Sequence, residues 1–288
     1  MVKNINFDVK YIITSYGLWS NPFRKVWLAN SINNGSKIFI KSHGGAIPVK
    51  SHTFNFLNDV SDKKLTWYSP VKKGQTQIVS ELNENNILKK INTKSCKREK
   101  IGIVLQSKTR WSFRIDYTPM SSQILETHLL TKNFIEKLKP KIKSQILIKP
   151  YQFSHSREDI IFKKFKKNFY NKKYFDLLNI SKIIICTYPE TCFSEAMISN
   201  RPTILIYKKN HYQFPKKFMR LLNNLKKNNI IFHDPDKAAK FINMKWDLID
   251  KWWNSNAIQT IRNDFLKSCL NYDKGWLNSW RKFIINLK

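Results

Sequence analysis

Short apolar runs alternating with segments of helical spacing constrain this chain more than any other feature of its sequence. The runs at residues 9–13, 37–41, 101–106, 145–149, 182–186 and 203–207 read as strands. Segments 22–33, 122–139, 192–199, 215–225 and 236–243 read as helices between them. Strand–helix–strand succession predicts an α/β fold on parallel sheets, because parallel neighbours need a crossover connection and a helix normally supplies it.

Local signals set several boundaries. Pro22 suits the first turn of the first helix, and Gly35 terminates it as a left-handed residue would. Residues 53–59 form a second helical segment, followed by a short strand at 65–67. Ile124, Leu125, Leu129, Phe134, Ile135 and Leu138 recur at helical spacing up to Pro140. Ser156 suits the cap of a helix bearing Ile161, Phe165 and Phe169. A last strand falls at 230–232, and everything from Trp246 onward reads as helical and tryptophan-rich. Residues 69–100 are polar, lysine-rich and weakly periodic, so a domain boundary is expected near residue 95. That leaves a short α/β domain at 1–95 and a doubly wound, Rossmann-like domain at 96–288. A ligand site in the second is expected outside the carboxyl ends of its strands.

Composition removes several function classes. No stretch approaches the ~18 consecutive apolar residues of a membrane helix, and the first residues lack a secretory signal, so a cytoplasmic location is expected. Cys96, Cys186, Cys192 and Cys269 have no paired spacing, and His211 and His233 add no zinc pattern; no metal is implied. The net charge of +32 comes mostly from lysine, with nine Arg among 52 basic residues spread along the chain. A nucleic-acid surface would favour the planar fork of Arg, so no dedicated nucleic-acid partner is expected. The charge would still attract phosphates and anionic membranes over a Debye length of about 8 Å.

Chemistry concentrates in two places. The first is the strand–turn–helix–strand run 183–207, whose turn is Thr187-Tyr188-Pro189-Glu190-Thr191. Hydroxyls and free amides at a helix N-terminus bind phosphate readily. Thr191 as N-cap and Glu195 one turn inside the helix suit a nucleotide's phosphates and ribose. Simple capping and dipole stabilisation account for both residues equally well. The second place is Ser42-His43-Gly44-Gly45 at the end of a strand, where the glycines allow close backbone approach to a ligand. His43 there is either a general base near neutral pH or an ordinary loop residue.

The run from Thr187 to Ile206 resembles the donor site of GT-B transferases, in which a Ser/Thr turn precedes a Glu-Ala helix and a small-x-Pro-hydrophobic strand. It is most similar to a family of surface-carbohydrate transferases distantly related to capsule and teichoic-acid polymerases. The resemblance implies that Thr187, Tyr188, Glu190 and Thr191 hold the donor phosphates and that Glu195 holds the ribose. It implies His43 as catalytic residue, with Gly44 and Gly45 beside the substrate, since the family carries Gln-His-Gly-Gly there. This chain has Ser42 in place of that Gln and Ala46-Ile47-Pro48 where a Gly-Tyr-Gly is common. Lys149, before Pro150, and Arg110 match basic residues of the family that meet the diphosphate. Trp252-Trp253-Asn254, with Arg262 and Phe265, resembles its C-terminal helix signature, where the aromatics pack.

The function implied is transfer of a sugar, or a polyol phosphate, from a nucleotide donor to a surface polysaccharide or glycolipid. No Asp-x-Asp motif is present, so a metal-independent reaction with no cofactor is expected. The partners implied are the nucleotide-sugar donor, a glycan or lipid-linked acceptor and an anionic membrane inner face. The first domain is shorter than is usual for GT-B. An inactive nucleotide-binding module acting with a partner subunit is therefore the alternative.

Overall fold

The computed structural model describes residues 9–15, 21–42, 44–45, 47–49, 59–81, 98–106, 120–151 and 158–287. Among these, two sheets are formed, and both are wholly parallel.

The first sheet has the order β1 (Tyr11–Thr14), β2 (Lys37–Lys41), β3 (Lys63–Thr66), β4 (Gln75–Gln77). Helix α1 (Pro22–Asn33) crosses from β1 to β2. Asn21 caps it, with its side-chain oxygen accepting from the Arg24 amide at 3.2 Å, and Gly35 follows at φ +89°. Alternate residues of β2 face opposite ways: Ile38 and Ile40 pack with Ile12 and Leu28 of α1, while Phe39 joins a separate cluster. Strand β4 lies inside the polar stretch 69–100, where the sequence pattern shows no strand. Its three residues are all polar and half-buried, so no apolar alternation marks it.

The second sheet has the order β6-β5-β7-β8-β9, from β5 (Lys100–Val104), β6 (Ile146–Lys149), β7 (Ser181–Cys186), β8 (Thr203–Ile206) and β9 (Ile231–Phe232). Strands β7 and β8 and most of β5 are buried on both faces and so read as near-continuous apolar runs, while edge strand β6 is buried at alternate residues. Ile101, Ile103, Ile183, Ile185, Ile204 and Ile206 pack with Phe134 of α2 (Ser121–Glu136) and with residues near β9. Ile184, Cys186 and Leu205 pack on the other side with Leu177 of α3 (Tyr174–Ile180) and Phe193 of α4 (Thr191–Ile198). Gly102 lets α3 lie close against β5. A Cβ there would stand 2.7 Å from Ser181 Oγ and 2.9 Å from Leu177 Cγ.

Later helices are α5 (Met219–Lys227), α6 (Pro235–Lys245), α7 (Ile249–Trp253), α8 (Asn256–Leu270) and α9 (Trp276–Ile285). The last returns to the first sheet, where Phe283 meets Phe39 edge-on at 6.1 Å and Trp280 Nε1 donates to Val79 O at 3.1 Å. The Ser69 and Ser80 amides donate to the Ser268 and Leu270 carbonyls at 3.0 and 3.1 Å, further tying the two sheets.

Several expected boundaries move. The helix expected to end at Pro140 stops at Glu136, and Pro140 instead opens a separate turn, Pro140–Lys143. The single helix expected beyond Ser156 is a turn at Glu158–Ile161 and a 3-10 turn at Lys163–Asn168. It ends there because Phe169 bridges to Ile148 of β6 and the Tyr170 amide donates to Ile148 O. Thr191 is the first residue of α4 and Glu190 is its N-cap, correcting the expectation that Thr191 caps. Ser156, the helix expected at 53–59 up to residue 58, and the boundary at 95/96 lie outside the described residues. No helix among the described residues is long and apolar enough to cross a membrane.

Candidate active site between the sheets

The two regions singled out in the sequence meet. Strand β2 leads to Gly44 and Gly45, which take φ of +65° and +102°, values that favour glycine. Strand β7 leads through Thr187–Glu190 into α4. The Gly45 amide donates to Thr191 Oγ1 at 3.0 Å, and Ser194 Oγ donates to Gly45 O at 3.1 Å. A Cβ on Gly44 would lie 2.7 Å from Thr191 Oγ1, so only glycine lets the turn sit this close to the helix. Ser194, one turn into α4, could not be singled out from the sequence, because its partner is a backbone carbonyl about 150 residues away.

Thr187 is fully buried behind this contact. Its hydroxyl donates to Val104 O and accepts from the Gln106 amide, both at 3.0 Å, and so joins the carboxyl ends of β5 and β7. That hydroxyl is spent inside the fold, and a phosphate-holding role by side chain does not fit its placement. Gln106 continues the network. Its side-chain oxygen accepts from Tyr212 OH at 2.9 Å, and its carbonyl accepts from His128 Nε2 at 2.9 Å. Gln106 showed in the sequence only as a polar residue closing an apolar strand, and Tyr212 lies in a loop with no periodic signal.

The first turn of α4 is centred on Cys192. Tyr174 OH donates to Cys192 O at 2.7 Å, and Tyr188 OH approaches its Sγ at 3.5 Å. Burial pushes the Cys192 thiol up to about 12, leaving it neutral and unreactive. Lys149, Glu190 and Glu195 all lie near enough to Cys192 to act on it electrostatically. Burial lowers the pKa of the Lys149 ammonium, with Cys192 and Asp176 opposing. Tyr188 is held neutral, chiefly by burial. Glu190 is half-buried, and its partial desolvation pushes the carboxyl up to about 7.

Gly44, Gly45, Lys149, Tyr188, Glu190, Thr191 and Glu195 thus gather around the start of α4, with Thr187 behind them. His43 and Arg110 lie outside the described residues. Arg262 of α8 holds the far end of α4, its Nε donating to Met197 O at 2.6 Å and Nη2 to Ile198 O at 3.1 Å. Trp253 packs in the core and donates to the Asn200 carbonyl at 3.1 Å, matching the packing role expected of it. No group of three or more His, Cys, Asp or Glu that could hold a metal ion occurs among the described residues.

The arrangement is that of a GT-B-like fold: two parallel α/β sheets joined where the turn after β2 meets α4, whose N-terminus lies at the carboxyl ends of the second. A trehalose-6-phosphate synthase, OtsA, superposes with a TM-score of 0.54 at 11% identity, covering 98% of this chain and 72% of its own. The alpha,alpha-trehalose 6-phosphate synthase of Burkholderia multivorans gives 0.49 at 12% identity, over 96% of this chain and 70% of that one. WaaG, a glycosyltransferase involved in lipopolysaccharide biosynthesis, gives 0.48 at 6% identity, over 85% and 81%. At 11% identity the likeness to OtsA is one of fold. No curated protein matches the sequence. The profile of a transferase family, by contrast, matches residues 1–284, almost the whole length. The chain therefore belongs to the LIC12162 family of transferases.

Proposed function

We propose that this transferase moves a sugar, or a polyol phosphate, from a nucleotide donor to a surface polysaccharide or glycolipid at the inner face of a membrane. Residues 1–95 form the acceptor side and residues 96–288 the donor side. The observation that carries the reading is the open N-terminus of α4. The Thr191 and Cys192 amides donate to no described residue, at the carboxyl ends of a parallel sheet and facing the Gly44-Gly45 turn. Such a helix end attracts a diphosphate.

In this reading the diphosphate lies on those amides, beside Tyr188 and Glu190. Lys149 and Arg110 stabilise the charge that develops on it as the bond to the sugar breaks. Glu195, one turn along α4, takes the ribose. His43, next in sequence to the Gly44-Gly45 turn, accepts the proton of the acceptor hydroxyl. In sugar transfer the acceptor oxygen then bonds to the sugar carbon while the diphosphate oxygen leaves with the bonding pair; in polyol-phosphate transfer it bonds to the distal phosphorus and the nucleoside monophosphate leaves with the pair.

A thermal-shift screen with CDP, UDP, dTDP, GDP and their sugars, at two salt concentrations, tests the donor site. A ligand at 100 times its dissociation constant adds about 2.7 kcal/mol of stability. A shift with one nucleotide that persists at high salt is expected. No shift, or equal salt-sensitive shifts with all, would reduce the site to nonspecific attraction by a cationic protein.

A further inference from the structure

Gln106 closes the apolar run of β5 and is fixed at three points. Its backbone amide donates to Thr187 Oγ1 at 3.0 Å, and its carbonyl accepts from His128 Nε2 at 2.9 Å. Its side-chain oxygen accepts from Tyr212 OH at 2.9 Å. Burial keeps that phenol protonated, and among the described residues its proton has no other acceptor. The side chain of Gln106 therefore turns its oxygen to Tyr212 and its NH2 group away.

Strand alternation decides which face this group occupies. Ile101, Ile103 and Leu105 pack on the α2 side of the sheet, whereas Val104 packs on the α4 side with Cys186 and Phe193. The Leu105 amide still donates to Lys149 O at 3.0 Å, so the extended run reaches Gln106. Gln106 falls in phase with Val104, and its partner Tyr212 belongs to the same cluster as Val104. The side chain thus stands on the side of α4, where the carboxyl ends of β5 and β7 meet. Glu190, the N-cap of α4, lies near enough to Tyr212 to act on it electrostatically.

A buried side-chain amide ordinarily uses both of its ends, because a donor left unpaired out of water costs free energy. Gln106 is only 7% exposed, yet among the described residues nothing accepts from its Nε2. Nor is Nε2 one of the polar atoms sealed from solvent without a partner. It is a pinned donor that opens out of the fold near the head of α4, where the Thr191 and Cys192 amides are unused as well. An anion rich in oxygen acceptors satisfies such a set of donors. We infer that the Gln106 NH2 group donates to an oxygen of the donor's diphosphate, which makes Gln106 a substrate-binding residue. The inference rests on the donor-site reading above and adds to it a neutral side-chain contact from the end of β5.

Calorimetric titration with UDP, CDP, GDP, dTDP and inorganic pyrophosphate tests this on wild type, Gln106→Met and Gln106→Glu. High salt screens nonspecific attraction by the cationic chain. Met keeps the length of the side chain and removes the donor. Glu keeps the oxygen that Tyr212 uses and puts a second oxygen where the NH2 group stood. Gln106→Met should weaken binding of nucleoside diphosphate and pyrophosphate by the same factor, about tenfold to a hundredfold for a lost hydrogen bond to a charged group. Gln106→Glu should bind both more weakly still, because a carboxylate repels the diphosphate. A purely structural role would lower the unfolding midpoint of the ligand-free variants and spare the affinity of the folded protein. Should one variant not fold, the other carries the comparison. Unchanged affinity for both kinds of ligand overturns the inference and leaves the donor site intact. A loss confined to the nucleoside diphosphates overturns it too, since the contact would then be with the nucleoside. Binding of none of these ligands by wild type removes the donor site itself, and the inference with it.

Discussion

The Gly45 amide donates to the Thr191 hydroxyl at 3.0 Å, joining two turns 146 residues apart. One turn follows a strand of the first sheet and the other leads from the central strand of the second into α4, so this bond ties the two sheets together.

The contact makes the two glycines unequal. Gly44→Ala places a left-handed alanine at φ +65° and drives its Cβ to 2.7 Å from Thr191 Oγ1. Gly45→Ala is strained by its φ of +102° but meets no atom within 4 Å. Each should cost about 1–2 kcal/mol from backbone strain alone. Only Gly44→Ala should also weaken nucleotide binding, because Thr191 must move. Thermal unfolding with nucleotide titration of both variants checks this, and equal affinity losses would remove the Gly44–Thr191 contact from the site.

Thr187→Val should behave as a stability variant. It strips the hydroxyl that joins Val104 O to the Gln106 amide and leaves that buried amide unpaired, at a cost of about 1–3 kcal/mol. Nucleotide affinity of the folded protein should change little. A large affinity loss with unchanged unfolding would return the Thr187 hydroxyl to the phosphate site.

Glu190 should make stability fall with pH. Its carboxyl is raised from 4.5 to about 7 in the folded protein, so the unfolded chain loses this proton first. Folded stability therefore declines as pH rises from about 4.5 to about 7 and then levels off, full stability from this group lying below 4.5. With about 1.4 kcal/mol per pKa unit, and allowing for partial exposure, Glu190→Gln should be more stable than wild type by roughly 2 kcal/mol at pH 8. The gap should close by pH 4.5. Denaturant titrations of ligand-free protein across that range measure it, and a gap independent of pH would show that the carboxyl is not held neutral.

Glu195→Ala should weaken binding of a nucleoside diphosphate more than binding of inorganic pyrophosphate, because only the former carries a ribose. Competition titrations with both ligands decide it. Equal losses would take the ribose away from Glu195.

Much of the second sheet was open to reading because its physics is local. Residues 182–186 and 203–207 are apolar runs whose burial on both faces needs no further information than their composition. The turn into α4 was equally plain from Pro189, Thr191 and the apolar helix after them. The first sheet was harder. Gln75–Gln77 carries no apolar signal and is a strand only because Lys64, Leu65 and Thr66 lie alongside it in parallel register. Gly102 was one more residue in a strand until the structure brought Leu177 and Ser181 against it.

The sequence by itself determined that the chain alternates strand and helix, that a hydroxyl-bearing turn at 187–191 leads from a strand into a helix, and that two glycines follow His43. Each of these depends on neighbours within a few residues. The tertiary structure alone decided what the turns touch. It set Gly45 on Thr191, turned the Thr187 hydroxyl inward between β5 and β7, and drew Glu190 far enough out of water to raise its carboxyl. The physical reason is that hydrogen-bond partnership and desolvation depend on groups distant in sequence, which local pattern does not encode.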